Sequence, residues 1–158
     1  MNLAVMKINA GEDLIKKVGT LGMNTDKVVK KAVRAGADPV ADEIRKNLEA
    51  NIADPSYAGT DNKGSFEWRK EKSSGDLLKS FGISPPGTDK NGDVNVKVGF
   101  SGYDHKKVPN ALKARAMESG TSTLRKRPFV RPAVNRTRKK SKDAMAAEVD
   151  RQVKIYTK

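Results

Sequence analysis

The chain of 158 residues has no cysteine, a single histidine and few aromatic residues, and each shortage excludes a class of function. Without cysteine there is no disulfide framework and no thiolate metal site. Zinc chemistry is not expected, since His105 is the one histidine. Aromatic residues make up 5% of the sequence, too few for a base-stacking platform that would bind single-stranded nucleic acid.

Long apolar runs are also missing. No stretch approaches the roughly 18 apolar residues of a membrane span. The first residues, MNLAVMKINAGED, have too short an apolar run and no small-residue cleavage site for a signal peptide. We therefore expect a protein that stays in the cytoplasm in which it is made. The length predicts one domain over residues 1–158.

The patterns of known catalytic sites are absent as well. There is no glycine-rich phosphate loop, no serine elbow and no His-Glu metal motif, and no pair of acidic residues has neighbours that would tune an acid and a base. His105 lies in the polar stretch SGYDHKK, which favours a solvated loop histidine. We predict no catalytic, cofactor-binding or metal-ligating residue, and we expect no enzyme.

Positive charge is what the chain has in excess. Its net charge is +13, so its surface attracts polyanions. Residues 125–142, RKRPFVRPAVNRTRKKSK, contain nine Lys or Arg and no acidic residue. This stretch is compatible with a grip on nucleic acid, or with the solvated face of a helix that contacts another protein.

Two long segments have the apolar period of a helix. The first covers residues 25–52, with Pro39 expected to kink it or to divide it after Asp38. Its apolar stripe comprises Val29, Val33, Ala37, Val40, Ile44, Leu48 and Ile52. The second runs from Val134 towards the end of the chain, with a stripe of Ala144, Met145, Val149 and Val153. A shorter helix is predicted within residues 11–22.

The middle of the chain predicts strands and loops. In DVNVKVGF, residues 93–100, apolar and polar side chains alternate, and KSFGIS can pair with it, which predicts a hairpin over residues 79–100. Residues 53–74 are rich in Gly, Ser, Asp and Lys and predict a long exposed loop. Trp68 in this loop is either an interaction anchor or a lid over the core. Periodicity leaves residues 113–119 open between helix and strand.

Three short motifs, in order, resemble the tail-completion family of tailed bacteriophages, which is named for the gene-ten product of a lambdoid phage. In SSGDLLKSFGI the matching residues are Ser74, Gly75, Leu77 and Ser80. In MESGTS they are Glu118, Gly120 and Thr121. In RPFVRPAV they are Arg127, Pro128, Phe129, Arg131, Pro132 and Ala133. The resemblance covers about residues 25–155, and it favours a strand at residues 113–119.

The residue types of the first two motifs suggest structural roles. Ser73 or Ser74 can cap a short helix whose leucines, Leu77 and Leu78, enter the core. Gly120 permits a positive backbone angle, and Glu118 can accept hydrogen bonds from Thr121 or a nearby arginine.

The third motif reads as the start of the last helix. Pro128 and Pro132 hold the chain extended before the helix, Phe129 fills the core, and Pro132 suits the first helical turn.

The sequence therefore predicts an α+β fold, in which the two long helices pack on one face of a small antiparallel sheet. The resemblance implies a structural virion protein, a tail-completion or neck component whose homo-oligomeric ring, expected to be a hexamer, joins tail to head. Its implied partners are the head–tail connector, the tail terminator or tail tube and, transiently, phage DNA. The alternatives are a tail terminator and a sequence-independent nucleic-acid-binding protein. The candidate interface residues are Trp68, Arg136, Arg138, Lys139, Lys140 and Lys142.

Overall fold

The computed structural model describes residues 24–54, 74–122 and 124–156. In chain order the elements are α1 (Thr25–Ala53), α2 (Asp76–Ser80), β1 (Phe81–Ile83), β2 (Gly87–Thr88), β3 (Val94–Asn95), β4 (Val98–Phe100), α3 (Asn110–Ser119) and α4 (Val130–Tyr156). Long helices together with short antiparallel strand pairs confirm the α+β class. The helix predicted within residues 11–22, Trp68 and nearly all of the loop at 53–74 lie outside the described residues.

Helix α1 continues through Pro39, so the predicted division after Asp38 is wrong. A proline inside a helix removes one backbone hydrogen bond. Ala37 and Val40, on either side of Pro39, are both buried. The buried members of the predicted stripe are Val33, Ala37, Val40, Ile44 and Leu48, and Val28 is buried in place of Val29.

The strands form the predicted hairpin in two pieces. Strand β1 pairs with β4, and β2 pairs antiparallel with β3, with Gly87 opposite Asn95. The predicted continuous strand over residues 93–100 is interrupted after β3, where the N–H of Lys97 donates to the Ser84 hydroxyl at 2.9 Å. The expected alternation survives, since Val96 and Val98 are buried and Lys97 is exposed.

Residues 113–119 belong to helix α3, so the strand that the resemblance favoured is wrong. The buried residues of α3 are Asn110, Ala114 and Met117, which share one helical face. Pro109 precedes the helix, and Gly120 ends it by donating its N–H to the carbonyl of Ala116 at 2.8 Å. The alternation of Leu112, Ala114 and Ala116 suggested a strand. The buried residues instead recur every three or four positions, which is the period of a helix.

The described residues divide into two compact units. The first unit contains residues 42–54, 74–82 and 99–135, apart from residue 123, and the second contains residues 24–41, 83–98 and 136–156. Helices α1 and α4 each contribute to both units. The single domain expected from the length stays a prediction. None of the helices in the described ranges is long and apolar enough to cross a membrane.

Candidate functional site

Glu118 joins the second sequence motif to the third in the first unit. Its carboxylate accepts hydrogen bonds from the backbone N–H groups of Phe129 at 2.7 Å, Val130 at 2.9 Å and Arg131 at 3.0 Å. These N–H groups lie at the start of α4, where no partner is available within the helix and where negative charge is favoured. The donors at these three distances are backbone groups of the third motif, which the sequence analysis did not predict.

Gly120 makes the tight return between these motifs possible. Its φ is 76°, which confirms the predicted positive angle. A Cβ at this position would lie 3.1 Å from both the carbonyl oxygen of Leu124 and the nitrogen of Lys126. Thr121 closes the loop, because its hydroxyl accepts the N–H of Leu124 at 3.0 Å. The glycine and threonine of the motif therefore place Glu118 opposite the helix start.

Phe129 fills the core of the first unit, as the sequence predicts. Its ring meets Phe100 edge-on with centroids 5.9 Å apart, and Phe100 lies 5.2 Å from the ring of Phe81. Phe81 directly follows α2, so the first motif reaches the same aromatic cluster as the third. Aromatic pairs at such distances are favourable beyond the area they bury.

Two asparagines of α1 hold the segment before α4, and the sequence reading missed them. Asn47 donates to the carbonyl of Phe129 at 3.1 Å, and Asn51 donates to the carbonyl of Arg127 at 3.2 Å. They lie four residues apart and so share one helical face. This polar pair beside the buried stripe is the signal that could have identified them.

Two members of the basic stretch serve the fold of the first unit. The guanidinium of Arg127 forms a salt bridge with Asp54 at 2.5 Å. Arg131 contributes its backbone N–H to Glu118, and Pro132 lies in the first turn of α4 as expected. Pro128 precedes the helix and is exposed.

The first motif forms the short helix α2. Gly75 has a φ of 76°, and the Ser80 hydroxyl donates to the carbonyl of Leu77 at 2.8 Å. Leu77 and Leu78 are half-buried, so the prediction that they enter the core is wrong. A helix of five residues presents too little surface for full burial, and the buried position goes to Phe81.

A polar cluster links α2 to the loop before α3. Asp76 contacts Nδ1 of His105 at 2.8 Å and accepts the Ser74 hydroxyl at 2.8 Å. The hydrogen bond with His105, followed by that from Ser74, lowers the pKa of Asp76 to about 2. Ser74 thus acts through the Asp76 side chain, while Gly75 occupies the position before the helix.

The second unit carries the strongest concentration of charge, which we call the basic face. Its members are Arg136, Arg138, Lys139, Lys140 and Lys142 on α4, and all are exposed. The two other residues of this stretch, Thr137 and Ser141, are buried. They lie four residues apart on one side of the helix. Every residue of the stretch that points away from the fold is therefore a cation.

A close approach of α1 fixes the basic face in place. The Ser141 hydroxyl donates to the carbonyl of Gly36 at 2.6 Å. A Cβ on Gly36 would lie 2.4 Å from Cγ of Met145, so a larger residue does not fit without a shift. The sequence reading assigned no role to Gly36, although a glycine inside a helix costs about 1 kcal/mol relative to alanine and therefore calls for a packing reason.

Four of the five cations of the basic face differ from their neighbours in the second unit by the absence of a salt bridge. Among described residues, Arg138, Lys139, Lys140 and Lys142 form no salt bridge. Elsewhere in the unit, Lys30 pairs with Asp26, Arg34 with Asp38, and Arg151 with Glu148. The pairing with Arg151 lowers the pKa of Glu148.

Metal chemistry finds no support in the part of the chain that the structure covers. No group of three or more His, Cys, Asp or Glu side chains is placed there to hold a metal ion. The first unit contributes hydrogen bonds and aromatic contacts that connect the three motifs. The second unit contributes the exposed cations of the basic face.

One comparison with known proteins gives a match. A family model described as "Bacteriophage HK97-gp10, putative tail-component" matches residues 12–103. Comparisons with curated proteins and with solved structures found no match. The matched range contains the first sequence motif and all four strands, whereas Glu118, Phe129 and the basic face follow it along the chain.

Proposed function

Because the chain belongs to the HK97-gp10-like family of bacteriophage tail components, we propose that it completes the tail and joins it to the head. In this proposal several copies, expected to be six, form a ring in the neck of the virion. The protein acts through its interfaces and catalyses no reaction. Its partners are the head–tail connector and the tail terminator or tail tube.

The basic face carries this proposal. Four exposed cations that form no salt bridge with any described residue lie within five positions of one helix, and the contact of Ser141 with Gly36 fixes that helix. A dense positive surface of this kind speeds docking onto an acidic surface and selects against basic ones. These cations can form salt bridges only when a partner protein brings carboxylates to the basic face.

We favour a protein as the partner of the basic face over DNA. Contacts with phosphates release counterions and hold a polyanion strongly at low salt. A ring at the neck surrounds the path of the genome, and a lumen that held phosphates tightly would slow its exit. Transient contact with DNA remains compatible with the same charges.

A phage that carries substitutions tests the proposal. Changing Arg138, Lys139, Lys140 and Lys142 to glutamine should leave the fold intact and cause free heads and free tails to accumulate. The matched control changes Lys27, Lys46, Lys79 and Lys90, which are also exposed, and removes the same charge. The control should give joined particles. Joined particles from the first variant, with altered retention of DNA, would contradict the docking role.

Tail length separates this proposal from the tail terminator. A ring that caps the growing tube limits its length, so loss of a terminator should give tails of uncontrolled length. Loss of a joining protein should leave tail length unchanged while heads and tails stay apart. Electron micrographs of a phage that lacks this protein distinguish the two outcomes.

The basic face is also the observation that favours a sequence-independent nucleic-acid-binding protein. Binding to duplex DNA across a salt series tests this alternative. Tight binding at physiological salt with a steep salt dependence would support it. Weak binding by a protein that assembles on tails would support joining.

A further inference from the structure

The basic face covers more than half of the circumference of α4. Successive residues of a helix lie about 100° apart around its axis. The five exposed cations therefore span an arc of about 200°, and the buried side chains of Thr137 and Ser141 lie on the opposite side. A partner that covers this arc meets side chains on the front of the helix and on both of its flanks.

One acidic residue lies within the same arc. Asp143 directly follows Lys142 and is exposed, and around the helix axis it lies between Lys139 and Lys140. It follows these two lysines by four and three residues, the spacings at which opposite charges on a helix can pair. Its side chain nevertheless forms no salt bridge or hydrogen bond with the part of the chain that the structure describes. The arc therefore presents one negative charge among the positive ones.

Asp143 differs in this respect from other acidic residues of the second unit. Three acidic side chains pair with a cation of their own helix at the same spacings, namely Asp26 with Lys30, Asp38 with Arg34 and Glu148 with Arg151. Each of these pairs neutralises a cation within the fold. The charge of Asp143 instead stays available to a molecule that contacts the basic face.

A negative charge at this position opposes binding to a phosphate backbone. Duplex DNA carries one negative charge per about 1.7 Å of its axis, so any phosphate that contacts Lys139 or Lys140 has other phosphates close by. Asp143 lies about 6 Å from Lys139 along the helix axis, because each residue adds about 1.5 Å. Salt screens repulsion only in part over this distance, since the Debye length is about 8 Å at physiological ionic strength. A protein surface, in contrast, can place a cation opposite Asp143.

We propose that Asp143 determines the specificity of the basic face, by pairing with a basic side chain on an otherwise acidic protein surface and by selecting against polyanions. This inference rests on the proposed function, because that surface belongs to the protein on which the basic face docks during joining. Like charges brought together lower affinity, and complementary charges fix the register of two surfaces. The cations thus attract acidic surfaces in general, and Asp143 determines which of them fits.

The direction of change after one substitution tests the proposal. Asp143→Asn removes the negative charge with little change in shape. Tails that carry this variant should need about two- to fivefold more heads for half-maximal joining, as expected for the loss of one exposed ion pair. The purified variant should bind duplex DNA more tightly than the wild-type chain. Asp143→Glu keeps the charge and should restore joining.

Asp42→Asn is the matched control. Asp42 is exposed on helix α1 and forms no salt bridge with a described residue, so the control removes the same charge elsewhere. It should leave joining unchanged, and its effect on DNA binding measures the contribution of net charge alone. All three variants should melt at the wild-type temperature.

Joining by Asp143→Asn that equals or exceeds that of the wild-type chain would overturn the inference, because a uniformly acidic partner gains from the loss of a negative charge. A joining defect shared by Asp143→Glu or by Asp42→Asn would overturn it as well, as would DNA binding no tighter than that of the control. In each case the proposed function stands if the variant with glutamine at positions 138, 139, 140 and 142 fails to join. Joining by that variant would overturn both.

Discussion

The basic stretch at residues 125–142 behaves differently in its two halves. Up to Asn135 it belongs to the first unit, where Arg127 pairs with Asp54 and the start of α4 is bound by Glu118. From Arg136 onward it belongs to the second unit, where the exposed cations of the basic face have Thr137 and Ser141 as their buried neighbours. Similar composition therefore stabilises the fold in one half and leaves an exposed positive surface in the other.

The largest expected effect comes from removing the aromatic anchor of the first half. Phe129→Ala should lower the free energy of unfolding by about 3–5 kcal/mol, because a buried ring is lost and a cavity remains. Urea denaturation measures the change. Leu112→Ala removes an exposed side chain and should cost less than about 0.5 kcal/mol in the monomer. Equal losses for the two variants would mean that Phe129 is no anchor.

Removing the charge of Glu118 should have the next largest effect. Glutamine has nearly the same shape as glutamate, but it is uncharged and replaces one carboxylate oxygen with an NH2 group. Glu118→Gln therefore weakens the hydrogen bonds from the three backbone N–H groups, and we expect the free energy of unfolding to fall by about 1.5–3 kcal/mol. Glu49→Gln is the control, since Glu49 is exposed on α1. Hydrogen exchange of the Phe129, Val130 and Arg131 amides should accelerate in the first variant alone. Unchanged exchange there would argue against the carboxylate as the cap of α4.

Gly36 tests the second half of the basic stretch, because the absence of a side chain there lets α1 approach the part of α4 that carries the basic face. Gly36→Ala should lower the free energy of unfolding, because the overlap of its Cβ with Met145 costs about 1–3 kcal/mol. The higher helix propensity of alanine offsets about 1 kcal/mol of this loss. Gly82→Ala is the matched control, because a Cβ at Gly82 meets no atom within 4 Å. Thermal denaturation compares them. If both variants melt alike, the approach of the helices is looser than the distances indicate.

The smallest expected effect concerns acid stability. His105→Ala should raise the pKa of Asp76 from about 2 towards its ordinary value of 3.8. A lowered carboxyl pKa stabilises the fold above 3.8, and the contribution is lost as the pH falls through about 2. The wild-type protein should therefore lose stability over this range, and the variant should lose less. NMR titration of Asp76 checks the pKa, and identical titration in both proteins would exclude the role of His105.

The sequence predicts the helices and the hairpin better than it predicts the contacts between motifs. The apolar period locates α1 and α4, and the alternation at Val96, Lys97 and Val98 locates the buried face of the hairpin. The helix at residues 110–119 was not predicted, because a short segment with few apolar residues does not show a clear helical or strand period.

The contacts made by Glu118 and Gly36 could not be predicted from sequence. Glu118 bonds to backbone groups, which carry no sequence signal, and the approach at Gly36 depends on tertiary packing. Exposure of the basic face was predictable from composition, whereas only the structure shows that Arg138, Lys139, Lys140 and Lys142 form no salt bridge with a described residue.

The most direct test of tail joining is the mass of the purified chain, measured alone and after mixing with isolated tails that lack it. We predict several copies bound at one end of each tail, and tails that then join to heads. The variant with glutamine at positions 138, 139, 140 and 142 should form the same ring but fail to join. A chain that binds tails as a single copy or not at all, while wild-type heads and tails still join without it, would contradict the account.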